Sequence, residues 1–284
     1  MLSINRIISS DKINMGGGLI TRQPLPAGEI QQLDPFLLLH HTGPITYPPF
    51  NDGLPFAPHP HKGFETVTII FEGAVEHKDS LGLESIIETG GVQWMTAGKG
   101  IVHSENLPKD FRNSGGTVEY IQLWINLPAK YKQVPAKYQG IQAGSIPEIE
   151  LEEGAGKLRL ISGKMYGSNG PVESITNVDM MTYSLIEGKN FSLEIPEQKE
   201  TLFYLLDGQL KWNDKHINAH DLVQWKEYGK ANFSVSKTAK LLVAYADRIN
   251  EPVVAHGPFV MNTQTEIMEA MRDYQMGKMG VLIL

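Results

Sequence analysis

Cysteine is absent from the 284 residues, which removes disulfides, thiolate nucleophiles, cysteine-bound zinc and iron–sulfur clusters together. Any metal must therefore be held by nitrogen and oxygen. A run of about eighteen apolar residues, enough to span a bilayer, is missing as well. The opening Met1-Leu2-Ser3-Ile4-Asn5-Arg6 lacks the basic, apolar, small-residue order of a secretion signal. The expectation is an intracellular, cytoplasmic protein with no membrane partner. Dense Lys/Arg blocks are also lacking, and a formal charge of -7 disfavours phosphate backbones and anionic lipid, so no direct nucleic-acid binding is expected. With 41% hydrophobic and 20% charged residues, the chain can bury a core and is long enough for two ordinary domains.

Among nine histidines, three stand in a pattern. The stretch Ala57-Pro58-His59-Pro60-His61-Lys62-Gly63-Phe64-Glu65-Thr66 is answered downstream by Gly100-Ile101-Val102-His103-Ser104-Glu105. Residues i and i+2 of a strand point to one face. His59 with His61, and His103 with Glu105, can each present two ligands in one direction, and two such pairs facing each other make a four-ligand site. The remaining histidines read otherwise. His40 and His41 are expected to be surface or hydrogen-bonded groups, as are His216, His220 and His256, and the charged neighbours of His77 in Glu76-His77-Lys78-Asp79 suggest a solvated edge.

The segments between these pairs are β-branched runs punctuated by glycine turns, such as Thr66 to Phe71 before Glu72-Gly73, and Val92-Gln93-Trp94-Met95 before Gly98-Lys99-Gly100. That is strand, turn, strand, as in an antiparallel barrel or sandwich. The pattern breaks after Leu127-Pro128, which places a domain boundary near residue 140 and divides the chain into 1–140 and 141–284. The second half echoes the first. Glu200-Thr201 and Gly208 match Glu65-Thr66 and Gly73 at one offset, and Val223-Gln224-Trp225 with Gly229-Lys230 match Val92-Gln93-Trp94 with Gly98-Lys99 at another. The same offsets put Glu194, Pro196, Ser234 and Ser236 where His59, His61, His103 and Glu105 stand, so the second barrel is expected to lack the metal ligands. The tail predicts a helix, with Thr263 and Glu266 at capping-box spacing, Ile267, Met271 and Tyr274 on one face, and Gly277 as its stop.

The spacing from Gly53 through His59, His61 and Glu65 to Gly73, then the glycine-rich turn and His103, resembles the paired motifs of the cupin superfamily. The words around it resemble the pirin family: Asp34-Pro35-Phe36, His59-Pro60-His61-Lys62-Gly63-Phe64-Glu65-Thr66, Val92 through Glu105, and Gly257-Pro258-Phe259-Val260-Met261-Asn262-Thr263. The resemblance covers most of the chain and implies an all-β bicupin: two tandem cupin-type antiparallel barrels, the first with a metal site, and a short C-terminal helix. An acidic residue near His40 is expected of the family and is not found. Glu65 can approach the metal in the general cupin pattern, but the pirin-like arrangement takes Glu105, which leaves Glu65 to support a histidine or to pack strands.

Three imidazoles and one carboxylate leave a divalent ion about one unit of positive charge and open positions for water or substrate, and this mixed shell suits Fe(II), Mn(II), Ni(II) or Zn(II). The resemblance implies iron, and it implies a quercetin 2,3-dioxygenase reaction in which O2 opens a flavonol with loss of carbon monoxide. Glu105 is the candidate base for the flavonol hydroxyl, and Phe56 and Phe64 are candidates to stack its rings, with core packing the competing role for Phe64. Two other readings stand beside this one. The family also implies an iron-dependent, redox-responsive regulator that acts through a protein partner, and an ion can simply rigidify the mouth of the first barrel.

Overall fold

The structure, a computed structural model, describes residues 2–283, and the architecture is β throughout apart from short helical turns, the six-residue helix Lys109–Ser114 and the C-terminal helix Gln264–Gln275. Two compact units form, and neither is a consecutive half of the chain. One gathers the chain through Asp11, Arg22–Pro35 and Gly144–Arg248; the other gathers Lys12–Thr21, Phe36–Ala143 and everything from Ile249 onward. The division differs from the simple cut at residue 140 because strands need partners for their backbone groups wherever these occur in sequence. Ile4–Ser9 finds its partner in Asp221–Trp225, with Ile7 opposite Val223.

In the unit containing Phe36–Ala143, the strands Lys137–Ile141, Val92–Thr96, Phe64–Glu72, Gly116–Asn126 and Phe36–Tyr47 lie side by side, each antiparallel to the next. A second sheet runs Phe56–His61, Ile101–Asn106, Ala74–Asp79, Glu84–Glu88. Side-chain hydrogen bonds join the two sheets, as where the Gln93 amide donates to the Val75 carbonyl at 3.0 Å. Leu54, Ile70, Val75, Ile87, Leu107 and Val118 form an apolar cluster of this unit. In the other unit a nine-stranded sheet is organised on the long strands Lys199–Trp212 and Gly229–Asp247, over a core that includes Leu160, Phe203, Leu205, Leu241 and Val243.

The C-terminal helix starts as its sequence predicts. The Glu266 N–H donates to Thr263 Oγ1 at 3.2 Å, and the Thr263 N–H donates to Glu266 Oε2 at 2.8 Å. Its stop is also as expected, with Gly277 at a φ of 72°. The buried face differs from the expected stripe. Ile267 and small Ala270 pack with Val102, Phe259, Met261 and Met279, whereas Met271 and Tyr274 are exposed at 38% and 41%. The three-residue step from Ile267 to Ala270 brings the helix backbone close, which the longer side chains do not permit. Among the described residues no helix is long and apolar enough to cross a membrane.

The tail also clamps the turn after His61. The Lys62 N–H donates to the Pro258 carbonyl at 3.3 Å, and the Val260 N–H donates to the Lys62 carbonyl at 3.0 Å. Gly63 follows with a φ of 91°, and a Cβ there would collide with the Val260 carbonyl oxygen. Buried Lys132 reaches under the turn and donates to the Gly63 carbonyl and to Asn126 Oδ1, both at 2.7 Å, and to the Val260 carbonyl at 3.0 Å. Desolvation pushes its amine down to about 8.

Two outcomes follow for unfolding in urea. Gly63→Ala combines a left-handed φ with a backbone clash and is expected to lose about 2 kcal/mol or more. Lys132→Met strands three buried acceptors and is expected to lose about 3 kcal/mol near pH 7. Between about pH 8 and the ordinary lysine value, unfolded chains hold a proton on Lys132 that folded chains have released, so wild-type stability gains there as pH rises. The Met variant has no such term, and the stability gap between the two widens over that window.

Candidate metal centre

Pairing of Phe56–His61 with Ile101–Asn106 sets His103 opposite His59 and Ile101 opposite His61. The period of two then brings three imidazoles together, as the sequence predicts. Ring centroids lie 4.8 Å apart for His59 and His61, 4.4 Å for His59 and His103, and 4.9 Å for His61 and His103. One nitrogen from each ring falls within 4.8 Å of the others, and among the described residues this is the one group of three such ligands.

Each ring is oriented from behind. His59 Nδ1 donates to the Ala57 carbonyl at 2.8 Å, which leaves its Nε2 with a lone pair. The backbone of Pro258 lies beside His61, whose Nδ1 is buried with no hydrogen-bond partner among the described residues. His103 Nε2 is likewise buried and without such a partner. Burial, and after it the neighbouring imidazoles, hold His61 and His103 well below the ordinary histidine range, so both rings are neutral. Neutral imidazoles with converging lone pairs are the donor set that a divalent cation of the first transition row takes. Orphaned ring nitrogens otherwise cost about 1–3 kcal/mol each. The residues present therefore fit a metal ion, and half-buried His59 lies on the side nearer solvent.

Glu105 falls outside the three-histidine group. Its strand is irregular between His103 and Glu105 on the side of Phe56–His61, so that Glu105 sits opposite Phe56, although the register toward Ala74–Asp79 is unbroken. Such a bulge re-aims a side chain. The carboxylate is buried, with Oε1 accepting from Thr68 Oγ1 at 3.1 Å and Oε2 from the Gln122 amide at 3.0 Å. Each oxygen keeps a second lone pair for a further partner. Glu65 is fully buried on the other sheet and accepts from Thr96 Oγ1 at 2.7 Å across its strand pair, as suits a packing role. Phe64 is fully buried against His61 and Trp124, at 5.1 Å and 4.5 Å between ring centroids; it packs the floor and has no open face for a substrate ring. Phe56 is half-buried.

The structure corrects the reading of His77. It is buried, at 1% exposure, and lies on the face of its strand that carries Asp79, while Glu76 and Lys78 point the other way and pair with each other and with Glu84. Its Nε2 is 3.0 Å from Asp79 Oδ2, its Nδ1 is 3.4 Å from His103 Nδ1, and Tyr138 stacks on its ring at 4.1 Å. The signal was the alternation itself, in which His77 and Asp79 repeat the two-residue spacing of the ligand pairs. Thr68 and Gln122 carried no comparable signal. His41 is buried with Nε2 3.2 Å from Glu119 Oε1, and His40, also buried, is pushed down to about 4 by desolvation. Of the two expected roles, surface or hydrogen-bonded, His41 takes the second.

In the other unit, Glu194 and Pro196 line a cavity of about 650 Å³ with Tyr183, Tyr245, Asp179 and Lys199, and the Ser234 hydroxyl donates to Asn190 at 3.1 Å. This cavity contains none of the residues of the histidine cluster.

Comparison with known proteins agrees with this architecture. The Pirin family description matches residues 18–125, and the Pirin C-terminal cupin domain matches residues 180–280. A pirin-like protein of Solanum lycopersicum is 38% identical over 274 residues, covering 94% of this chain and 89% of that one. The crystal structure of a quercetin 2,3-dioxygenase from Acinetobacter baumannii is 36% identical, covers 100% of both chains and superposes with a TM-score of 0.93. The bacterial pirin YhhW of Escherichia coli, solved in complex with nickel(II), shares the fold at 18% identity, with a TM-score of 0.66 over 87% of this chain and 100% of that one. An all-β chain with a short C-terminal helix, matched by both domains, this protein belongs to the pirin family of bicupins.

Proposed function

We propose that this chain is a mononuclear metal-dependent dioxygenase of the quercetin 2,3-dioxygenase type, acting with O2 on a flavonol or a similar enol. His59, His61, His103 and Glu105 hold the ion, which is Fe(II) in preference to Mn(II), Ni(II) or Zn(II). The observation that carries the proposal is the convergence of three imidazole nitrogens, two of them on rings that burial holds well below the ordinary histidine range, with the buried carboxylate of Glu105 two residues along the strand from His103. The likeness to the Acinetobacter baumannii quercetin 2,3-dioxygenase along the whole chain supports the substrate class.

A bound ion supplies Lewis acidity, which lowers the pKa of a flavonol hydroxyl as it lowers that of water. The remaining work falls to side chains. Glu105 takes the hydroxyl proton onto a carboxylate oxygen, and the bonding pair stays on the substrate oxygen, which leaves the electron-rich enolate that O2 opens with loss of carbon monoxide. Thr68 and Gln122 hold the carboxylate in place for that transfer. The bulge between His103 and Glu105 re-aims the carboxylate relative to the histidine of its own strand. Fully buried Phe64, packed against His61, and buried Ile101, opposite His61 on the paired strand, keep the surroundings apolar.

The test is elemental analysis of the purified protein together with oxygen uptake on quercetin, wild type beside two variants. Near-stoichiometric iron with oxygen uptake is expected of wild type. His61→Ala, which removes an inner nitrogen, is expected to lose metal and turnover while remaining folded; full metal content in that variant overturns the ligand assignment. Glu105→Gln is expected to lower turnover by about 100-fold or more. Bound iron with no oxygen uptake overturns the quercetinase reading in favour of a redox-responsive regulator with a protein partner.

A further inference from the structure

His77 and Asp79 lie behind His103 in a line of buried groups, and the hydrogen-bonding capacity of each decides where the protons sit. Asp79 has a side chain with no exposure. Its Oδ1 accepts from the Leu81 N–H at 2.9 Å and the Leu83 N–H at 3.2 Å, and its Oδ2 is turned to His77 Nε2. An ionised carboxylate only accepts. His77 must therefore place a proton on Nε2, and a ring that carries that single proton offers a lone pair at Nδ1. The atom facing that lone pair is His103 Nδ1, at 3.4 Å. From the other end, His103 Nε2 is buried without a partner among the described residues, so a proton there would be an unpaired donor in a desolvated site. Both ends give the same assignment.

We propose that His77 and Asp79 are positioning residues that fix the tautomer of His103. In this chain Asp79 accepts from His77 Nε2–H, His77 Nδ1 accepts from His103 Nδ1–H, and the His103 Nε2 lone pair is presented to the metal centre. The inference rests on the metal-centre reading above. Tyr138, stacked on His77 at an interplanar angle of 19°, keeps the imidazole from turning its nitrogens out of line. The three histidines of the centre thus differ in their support. His59 and His61 lean on backbone groups of Ala57 and Pro258, and only His103 depends on other side chains. Its tautomer can therefore be inverted by a single substitution at a distance.

Asp79→Asn is that substitution. The amide oxygen can keep the Leu81 and Leu83 N–H groups, which turns the NH2 toward His77 Nε2. A donor there moves the His77 proton to Nδ1, which in turn moves the His103 proton to Nε2 and caps the lone pair. Carboxylate-to-amide exchange behind a histidine leaves geometry intact and supplies the wrong tautomer in the same way. His77→Phe keeps an aromatic ring against Tyr138 and removes the acceptor altogether.

The experiment pairs 15N spectra of histidine-labelled, metal-free protein with Zn(II) titration against a chromophoric chelator. His103 is assigned by the signal lost in His103→Asn. Wild type is expected to carry the His103 proton on Nδ1. Asp79→Asn is expected to carry it on Nε2 and to bind Zn(II) about 10- to 100-fold more weakly, with thermal unfolding of the metal-free form little changed. Wild-type His103 protonated on Nε2, or Asp79→Asn binding Zn(II) as tightly as wild type, overturns the proposal. Wild type binding no Zn(II) overturns the metal-centre reading itself, and the metal-free spectra still decide the proton chain. Should Asp79→Asn fail to fold, the wild-type spectra and His77→Phe decide between the two tautomers.

Discussion

The register of one short strand pair is the constraint on which the rest depends. Phe56–His61 and Ile101–Asn106 meet with His59 opposite His103, and a slip of one residue would send His59 and His61 to the opposite face. Register in such short strands is weakly held by the strands themselves. It is fixed here from outside, by Gly63 turning at positive φ, by Lys132 beneath the turn and by the Pro258–Val260 backbone against Lys62. A buried ammonium group is an expensive device, and it sits where the chain must be placed to within a fraction of an ångström for three nitrogens to converge.

The two units show what the metal centre adds to the architecture. The unit containing Gly144–Arg248 has a continuous apolar core from Leu160 to Tyr245 and folds its long strands Lys199–Trp212 and Gly229–Asp247 together without any group of three metal-type ligands among the described residues. In the other unit, polar groups occupy positions that would otherwise hold hydrocarbon, with Thr68, Gln122, His77 and Asp79 all turned inward. Buried polar groups of this sort lower stability unless each finds a partner, and here they form two chains, Thr68–Glu105–Gln122 and Asp79–His77–His103.

Much of this was legible in the sequence, for identifiable reasons. His59, His61 and His103 could be read because strand periodicity converts spacing of two into a shared face, and the capping box at Thr263 could be read because it is local. His77 was misread because its immediate neighbours Glu76 and Lys78 are charged; alternation, which sends those neighbours to the opposite face, outweighs composition in a strand. The place of Glu105 depends on a bulge, which needs the partner strand to be known. The pairing of Ile4–Ser9 with Asp221–Trp225, and the return of the tail to the unit of the first barrel, are long-range choices with no local signature. The helix face was partly misread because Ala270, too small to weigh in a hydrophobic pattern, is the residue that permits close approach.

The return of the tail has a consequence for the timing of assembly on the ribosome. The strands bearing His59, His61 and His103 are made early, yet the Pro258 backbone that lies beside His61, the Val260 carbonyl that meets Lys132 and the Asp273 carboxylate that holds Lys62 all emerge after the whole Gly144–Arg248 segment. A nascent chain has its ligands long before it has the frame that aims them. The three imidazoles therefore gain their final orientation only after residues 258–273 have been made and have folded back against Lys62 and Lys132.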